Sequence, residues 1–149
     1  MKITFVCLGN ICRSPVAEFI CKDLIVNKYK NNNITVDSAG TSGYHDGEYM
    51  HQKTANILQK NNINNKPFVS KKITSNLVNE SDYVFAMDNS NYQDLISFGV
   101  PKEKLFKITD YLKLQKYDEI PDPWYTNNFE LTYSLLNEAI DNFLSTILK

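Results

Sequence analysis

The feature that most constrains this chain is an alternation of short apolar runs with segments of helical period. Tyr83-Val84-Phe85-Ala86-Met87 is an unbroken apolar run, rich in β-branched and aromatic residues, of the kind buried on both faces of a parallel sheet. Ile3 to Cys7 reads as a first strand, Ile34 to Asp37 as a second and Lys104 to Ile108 as a fourth. Between them lie helical segments: Ser14 to about Tyr29, His51 to Asn61 with Ala55, Leu58 and Ile57 inward, a short turn at Ser75 to Glu80, and a helix from Ser90 or Asn91 that Gly99 stops. Leu131, Leu135, Leu136, Ile140, Phe143, Leu144 and Ile147 form the apolar stripe of a long C-terminal helix. Strands alternating with helices imply an α/β fold on a mostly parallel sheet with right-handed crossovers. No repeat or linker divides the chain, so residues 1–149 are expected to form a single domain.

The first strand leads into Cys7-Leu8-Gly9-Asn10-Ile11-Cys12-Arg13-Ser14-Pro15. Val16, Phe19, Ile20 and Leu24 then recur at helical spacing, with Ser14 placed as N-cap and Pro15 as first helical residue. Strand, tight loop and helix N-terminus together make an anion site, because free N–H groups and the helix dipole converge there. A cysteine at such a junction favours its thiolate, the form that attacks. Cys7 is therefore the candidate nucleophile. Arg13 offers a planar fork matched to two phosphate oxygens. Gly9 and Asn10 tolerate positive φ, so the backbone of Leu8, Gly9, Asn10, Ile11, Cys12, Arg13 and Ser14 can curl around a phosphate. The Ser14 hydroxyl can donate to the thiolate and ease its departure.

The stretch from Phe5 to Pro15, with Ala17-Glu18 beyond it, resembles the signature of the low-molecular-weight protein tyrosine phosphatases. Ser38-Ala39-Gly40-Thr41-Ser42 with Tyr44-His45, Ala86-Met87-Asp88 with Ser90-Asn91, and Asp122-Pro123-Trp124-Tyr125 resemble three further segments of that family in the same order, so the likeness covers essentially the whole chain. It implies a four-stranded, doubly wound sheet with helices on both faces, Asp122 as general acid and base, and Ser38 supporting the loop through Asn10. It also implies that Cys7 and Cys12 could form a reversible disulfide that shields the nucleophile, with Cys12 as redox partner. Pro121 and Pro123 stiffen the loop carrying Asp122. Tyr44, Trp124 and Tyr125 adjoin these motifs and suit the walls of a phenyl ester site. Open α/β sheets build sites at the carboxyl ends of their strands, where all four segments should meet. Asp88 is expected to be structural, Cys21 buried and inert, His45 a rim residue, and Lys71-Lys72 a solvated face.

The expected activity is hydrolysis of phosphotyrosine in protein substrates and of small aryl phosphates, through a phosphocysteine, with no cofactor and no metal. Phosphate-like anions should occupy the loop. With 16 basic and 17 acidic residues, the net charge of −1 makes no case for nucleic acid. No stretch is apolar enough to span a membrane, and the chain opens directly on a strand, so a cytoplasmic monomer without a cleaved leader is expected. Three cysteines without zinc-like spacing fit a reducing compartment. An arsenate reductase on the same frame would need later cysteines, and none follows Cys21. A phosphoarginine-directed relative is the nearer rival, and by resemblance Ile11, rather than threonine, leans towards phosphotyrosine. A non-catalytic phosphoprotein-binding module is disfavoured by Cys7, Arg13, Ser14 and Asp122 occurring together. A nucleotide P-loop is excluded by its missing glycine-lysine pattern. Two departures from the family pattern stand out: His51 replaces a common aspartate, and Phe68 to Lys72 lacks a histidine.

Overall fold

The computed structural model describes residues 1–148. Four parallel strands, β1 (Lys2–Cys7), β2 (Thr35–Gly40), β3 (Tyr83–Ala86) and β4 (Leu105–Lys107), form one sheet in the order β2-β1-β3-β4. The helices are α1 (Arg13–Asp23, continued by a π-helical turn Leu24–Lys28), α2 (Gln52–Lys60), α3 (Ser75–Glu80), α4 (Asn89–Phe98), α5 (Pro123–Thr126) and α6 (Phe129–Ile147). The fold is a doubly wound α/β sheet.

Strand periodicity divides the core into two layers. Ile3, Phe5 and Cys7 of β1 and Phe85 of β3 point to one face, where they meet α1, α2 and α6. Val6, Val84 and Ala86 point to the other, against Leu77 and Val78 of α3 and Leu95 of α4. Phe5 and Phe85 are register partners and stack with centroids 5.5 Å apart. In α6, Leu135, Leu136, Ala139, Ile140, Phe143 and Leu144 are fully buried, each large side chain contributing about 1.5–3 kcal/mol. Leu131 and Ile147, near the ends of that stripe, are half-buried. Gly99 ends α4 at φ 109°, a left-handed conformation that suits glycine.

Of the boundaries that differ from expectation, most by a single residue, three have a visible physical reason. α1 begins at Arg13, so Ser14 is not its N-cap and Pro15 is not its first residue; Cys12 takes the cap position without a side-chain bond. The Ser14 hydroxyl is engaged instead with Cys7 and Asn10. The regular α-helix stops at Asp23 rather than reaching Tyr29, because the next turn widens to π spacing. β2 runs on from Asp37 to Gly40, and Ser38 lies inside the strand. A polar Asp-Ser pair looks like a strand end, yet Ser38 is 1% exposed and fully hydrogen-bonded.

Candidate active site

The strand order places β1 between β2 and β3, so the chain diverges at the carboxyl ends of those strands and leaves a crevice there. Cys7 sits at that end, paired with Gly40 of β2. A cavity of about 240 Å³ opens above it. Its floor is Cys7, Leu8, Gly9, Ile11, Cys12 and Arg13, and its rim is Tyr44, His45, Asp122, Trp124 and Tyr125.

The loop after Cys7 is held from every side. Thr41 N–H donates to the Cys7 carbonyl and Ser42 N–H to the Leu8 carbonyl, both at 2.9 Å. A Cβ on Gly40 would lie 2.7 Å from the Leu8 oxygen, so this approach of backbones requires glycine. Asn10 turns the loop at φ 56°. Its amide donates to Ser14 Oγ at 2.8 Å and Ser38 Oγ at 3.0 Å, while its Oδ1 accepts Lys71 N–H at 3.0 Å. Ser70 Oγ donates to the Asn10 carbonyl at 2.7 Å. The Ile11 carbonyl accepts from His51 N–H at 2.9 Å and Thr54 Oγ1 at 3.1 Å. Ser38 Oγ in turn donates to the buried Glu18 carboxylate at 2.6 Å, whose other oxygen takes Lys22.

Proton counting orients this network. The Asn10 amide nitrogen only donates, so Ser14 Oγ accepts there and keeps its single proton free. Cys7 Sγ lies 3.0 Å from that oxygen, nearer than the Ala39 carbonyl at 3.4 Å. The hydroxyl is thus set to donate to a thiolate.

Arg13 reaches the cavity from the first turn of α1 and is 2% exposed. Nη1 donates to Asp88 Oδ2 at 2.7 Å and the Ile120 carbonyl at 2.9 Å, and Nη2 lies 3.4 Å from Asp122 Oδ2. Burial works against its charge, but Cys7, Asp88 and Asp122 outweigh it and raise the pKa further. Asp122 is the N-cap of α5, with Pro123 at the first helical position; its Oδ1 accepts Trp124 N–H at 3.0 Å. Ile120 N–H donates to the Met87 carbonyl at 2.8 Å, tying this segment to the end of β3. Burial, then Cys7 and Asp122, push the Cys12 thiol up to about 12, and burial raises Cys21 as well.

Most of the anticipated site residues meet in one place, with differences of role. Asn10 and Ser14 do not line the cavity; their side chains turn inward and hold the loop. Gly9 does not use positive φ. A Cβ there would approach His45 Cδ2 to 3.0 Å, so the ring above the loop is what constrains this position. Lys71 is exposed and pairs with Asp37, but its backbone N–H also braces Asn10, which no residue pattern announces. Glu18 carried a signal: a carboxylate four residues after Ser14 lies on the same helix face, among Ala17, Phe19 and Ile20. Thr54 carried none, and His51 and Ser70 stood out only as lying where the family pattern is departed from.

A model of the low-molecular-weight phosphotyrosine protein phosphatases matches residues 2–149. The chain belongs to that family. A Staphylococcus haemolyticus low-molecular-weight protein-tyrosine-phosphatase, PtpA, is 37% identical, the match covering 100% of this chain and 95% of the relative. A protein tyrosine phosphatase structure from Entamoeba histolytica superimposes with a TM-score of 0.92 at 35% identity, over 99% of this chain and 96% of the other. The Drosophila arginine phosphatase also superimposes at 0.92, at 29% identity, over 100% of this chain and 99% of the other. This phosphatase is thus an enzyme of the protein-tyrosine-phosphatase class, in a family that is cysteine-dependent and metal-independent. Among the described residues, no helix is long and apolar enough to cross a membrane.

Proposed function

We propose that this phosphatase hydrolyses phosphotyrosine and small aryl phosphates in two steps. Cys7 thiolate attacks phosphorus, forming a phosphocysteine as the bond to the tyrosyl oxygen breaks. The backbone N–H groups of residues 8–14 and Arg13 hold the equatorial oxygens, and Asp122 protonates the departing oxygen. Water then gives a proton to Asp122 and attacks phosphorus, releasing phosphate and the thiolate, which the Ser14 hydroxyl stabilises. Asp88 and the Ile120 carbonyl fix Arg13 by one nitrogen, which presets its plane. Cys12, whose raised pKa keeps it a neutral thiol beside the nucleophile, is the redox partner.

The observation that carries this reading is the meeting of Cys7, Arg13 and Asp122 in one cavity walled by Tyr44, Trp124 and Tyr125. Trp124 is 56% exposed and Tyr125 79%, as walls awaiting a flat ring would be. Phosphotyrosine, phosphoserine and phosphoarginine peptides, assayed in EDTA with wild type and Cys7→Ser, test it. Phosphotyrosine-selective turnover is expected, lost in Cys7→Ser while phosphate binding remains. The arginine phosphatase neighbour gives the second reading its footing. Turnover confined to phosphoarginine would keep the mechanism and change the substrate. Full turnover by Cys7→Ser would remove Cys7 as nucleophile.

A further inference from the structure

His51 has no part in the two steps above, yet it touches both halves of the site. Its Nδ1 accepts Lys53 N–H at 3.0 Å and so caps α2. Its backbone N–H donates to the Ile11 carbonyl of the cysteine loop. Its ring packs on Phe129, with centroids 5.1 Å apart and planes at 31°, and meets Trp124 edge to face at 6.0 Å and 86°. The backbone N–H of Trp124 is the one that holds Asp122 Oδ1. Half-exposed Trp124 has two aromatic neighbours, His51 and, at 6.1 Å, His45.

Few side chains could do both jobs. Asparagine or serine would cap the helix but present no ring, and phenylalanine would pack but accept no hydrogen bond. The neutral imidazole does both. Burial, with Lys53 beside it, lowers the pKa of His51 and favours the form whose Nδ1 can accept. A second tie runs parallel: Lys53 Nζ donates to Asn127 Oδ1, at the left-handed residue that ends α5.

We propose that His51 is a positioning residue for the acid loop: its ring holds Trp124, and through it Asp122, at a fixed distance from the cysteine loop to which α2 is bonded. This rests on the phosphatase reading above. A displaced acid slows esters that need a protonated leaving group and spares those that do not.

The test compares kcat/KM for phenyl phosphate and para-nitrophenyl phosphate in wild type, His51→Ala, His51→Phe and His51→Asn. The ratio of the two within one preparation does not depend on the fraction folded. His51→Ala should lose about tenfold on phenyl phosphate and no more than about twofold on the nitrophenyl ester. His51→Phe should recover the phenyl phosphate rate at a lower melting temperature. His51→Asn should recover the melting temperature but not the rate. Equal losses on both esters, or rescue of the rate by asparagine rather than phenylalanine, would reduce His51 to a helix cap and overturn the proposal. An unchanged ratio in all three variants would do the same. A wild type that hydrolyses neither ester would instead overturn the aryl-phosphate reading on which the proposal rests.

Discussion

The cysteine loop and the acid loop face each other across the same cavity and are built on opposite terms. The cysteine loop is buried from Asn10 to Ser14, and its polar groups are bonded to residues of β2, α2 and the Ser70-Lys71 segment. The acid loop is a single helical turn, largely exposed, held by the Ile120–Met87 bond, Arg13, Lys53 and the ring of His51. The difference fits the tasks proposed for them. A cradle for a phosphate gains from N–H groups that cannot relax when charge develops. A wall that receives a bulky aryl group and then releases it gains from fewer ties.

Asp122→Ala breaks the comparison most directly, because it removes the proposed acid and leaves the cradle. Phenyl phosphate turnover should fall by roughly 10²–10⁴, with phosphate affinity nearly unchanged. An unaltered rate in steady-state assays would mean another group supplies the proton.

Asn10→Ala attacks the other side. It strands Ser14, Ser38 and the Lys71 N–H and places alanine at positive φ, so about 2–4 kcal/mol of stability should be lost. Chemical denaturation measures that loss. Turnover should drop about tenfold in the folded fraction as the Ser14 hydroxyl loses its orientation. A neutral effect would show that the loop is held by its backbone bonds alone.

Glu138→Gln gives the smallest effect and serves as the control remote from both loops. Burial opposes its charge, but N–H groups of Lys113, Leu114 and Gln115 outweigh it and lower its pKa. A carboxylate with a lowered folded pKa stabilises above its unfolded pKa, and that contribution is lost as pH falls through the folded value. Wild type should therefore lose stability on acidification below the ordinary glutamate range. Glu138→Gln should be less stable at neutral pH and show a shallower acid loss, with kcat/KM unchanged. Equal acid melting of the two proteins would rule this carboxylate out as an acid-sensitive tie.

The layered sheet, the helix periods and the core face of α6 were legible because burial imposes repeats of two and 3.6 residues that survive in one dimension. The Cys7-to-Ser14 spacing was legible because a phosphate cradle demands particular residue types at fixed offsets along one continuous segment. Asp122, Trp124 and Tyr125 were placed by resemblance, since a Pro-Asp-Pro turn taken alone reads as surface. What no local pattern carried were the supports contributed by other segments: Lys71 and Ser70 to Asn10, Thr54 and His51 to Ile11, Asp88 to Arg13. Several of these use the main chain, which is the same at every residue, or a side chain whose partner lies more than 40 positions away. The sequence by itself determined which segments are strands and helices and where a thiolate could sit. Only the tertiary structure decided which distant backbone and ring would hold it there, because a hydrogen bond is selected by proximity in space and proximity was created by the folded sheet.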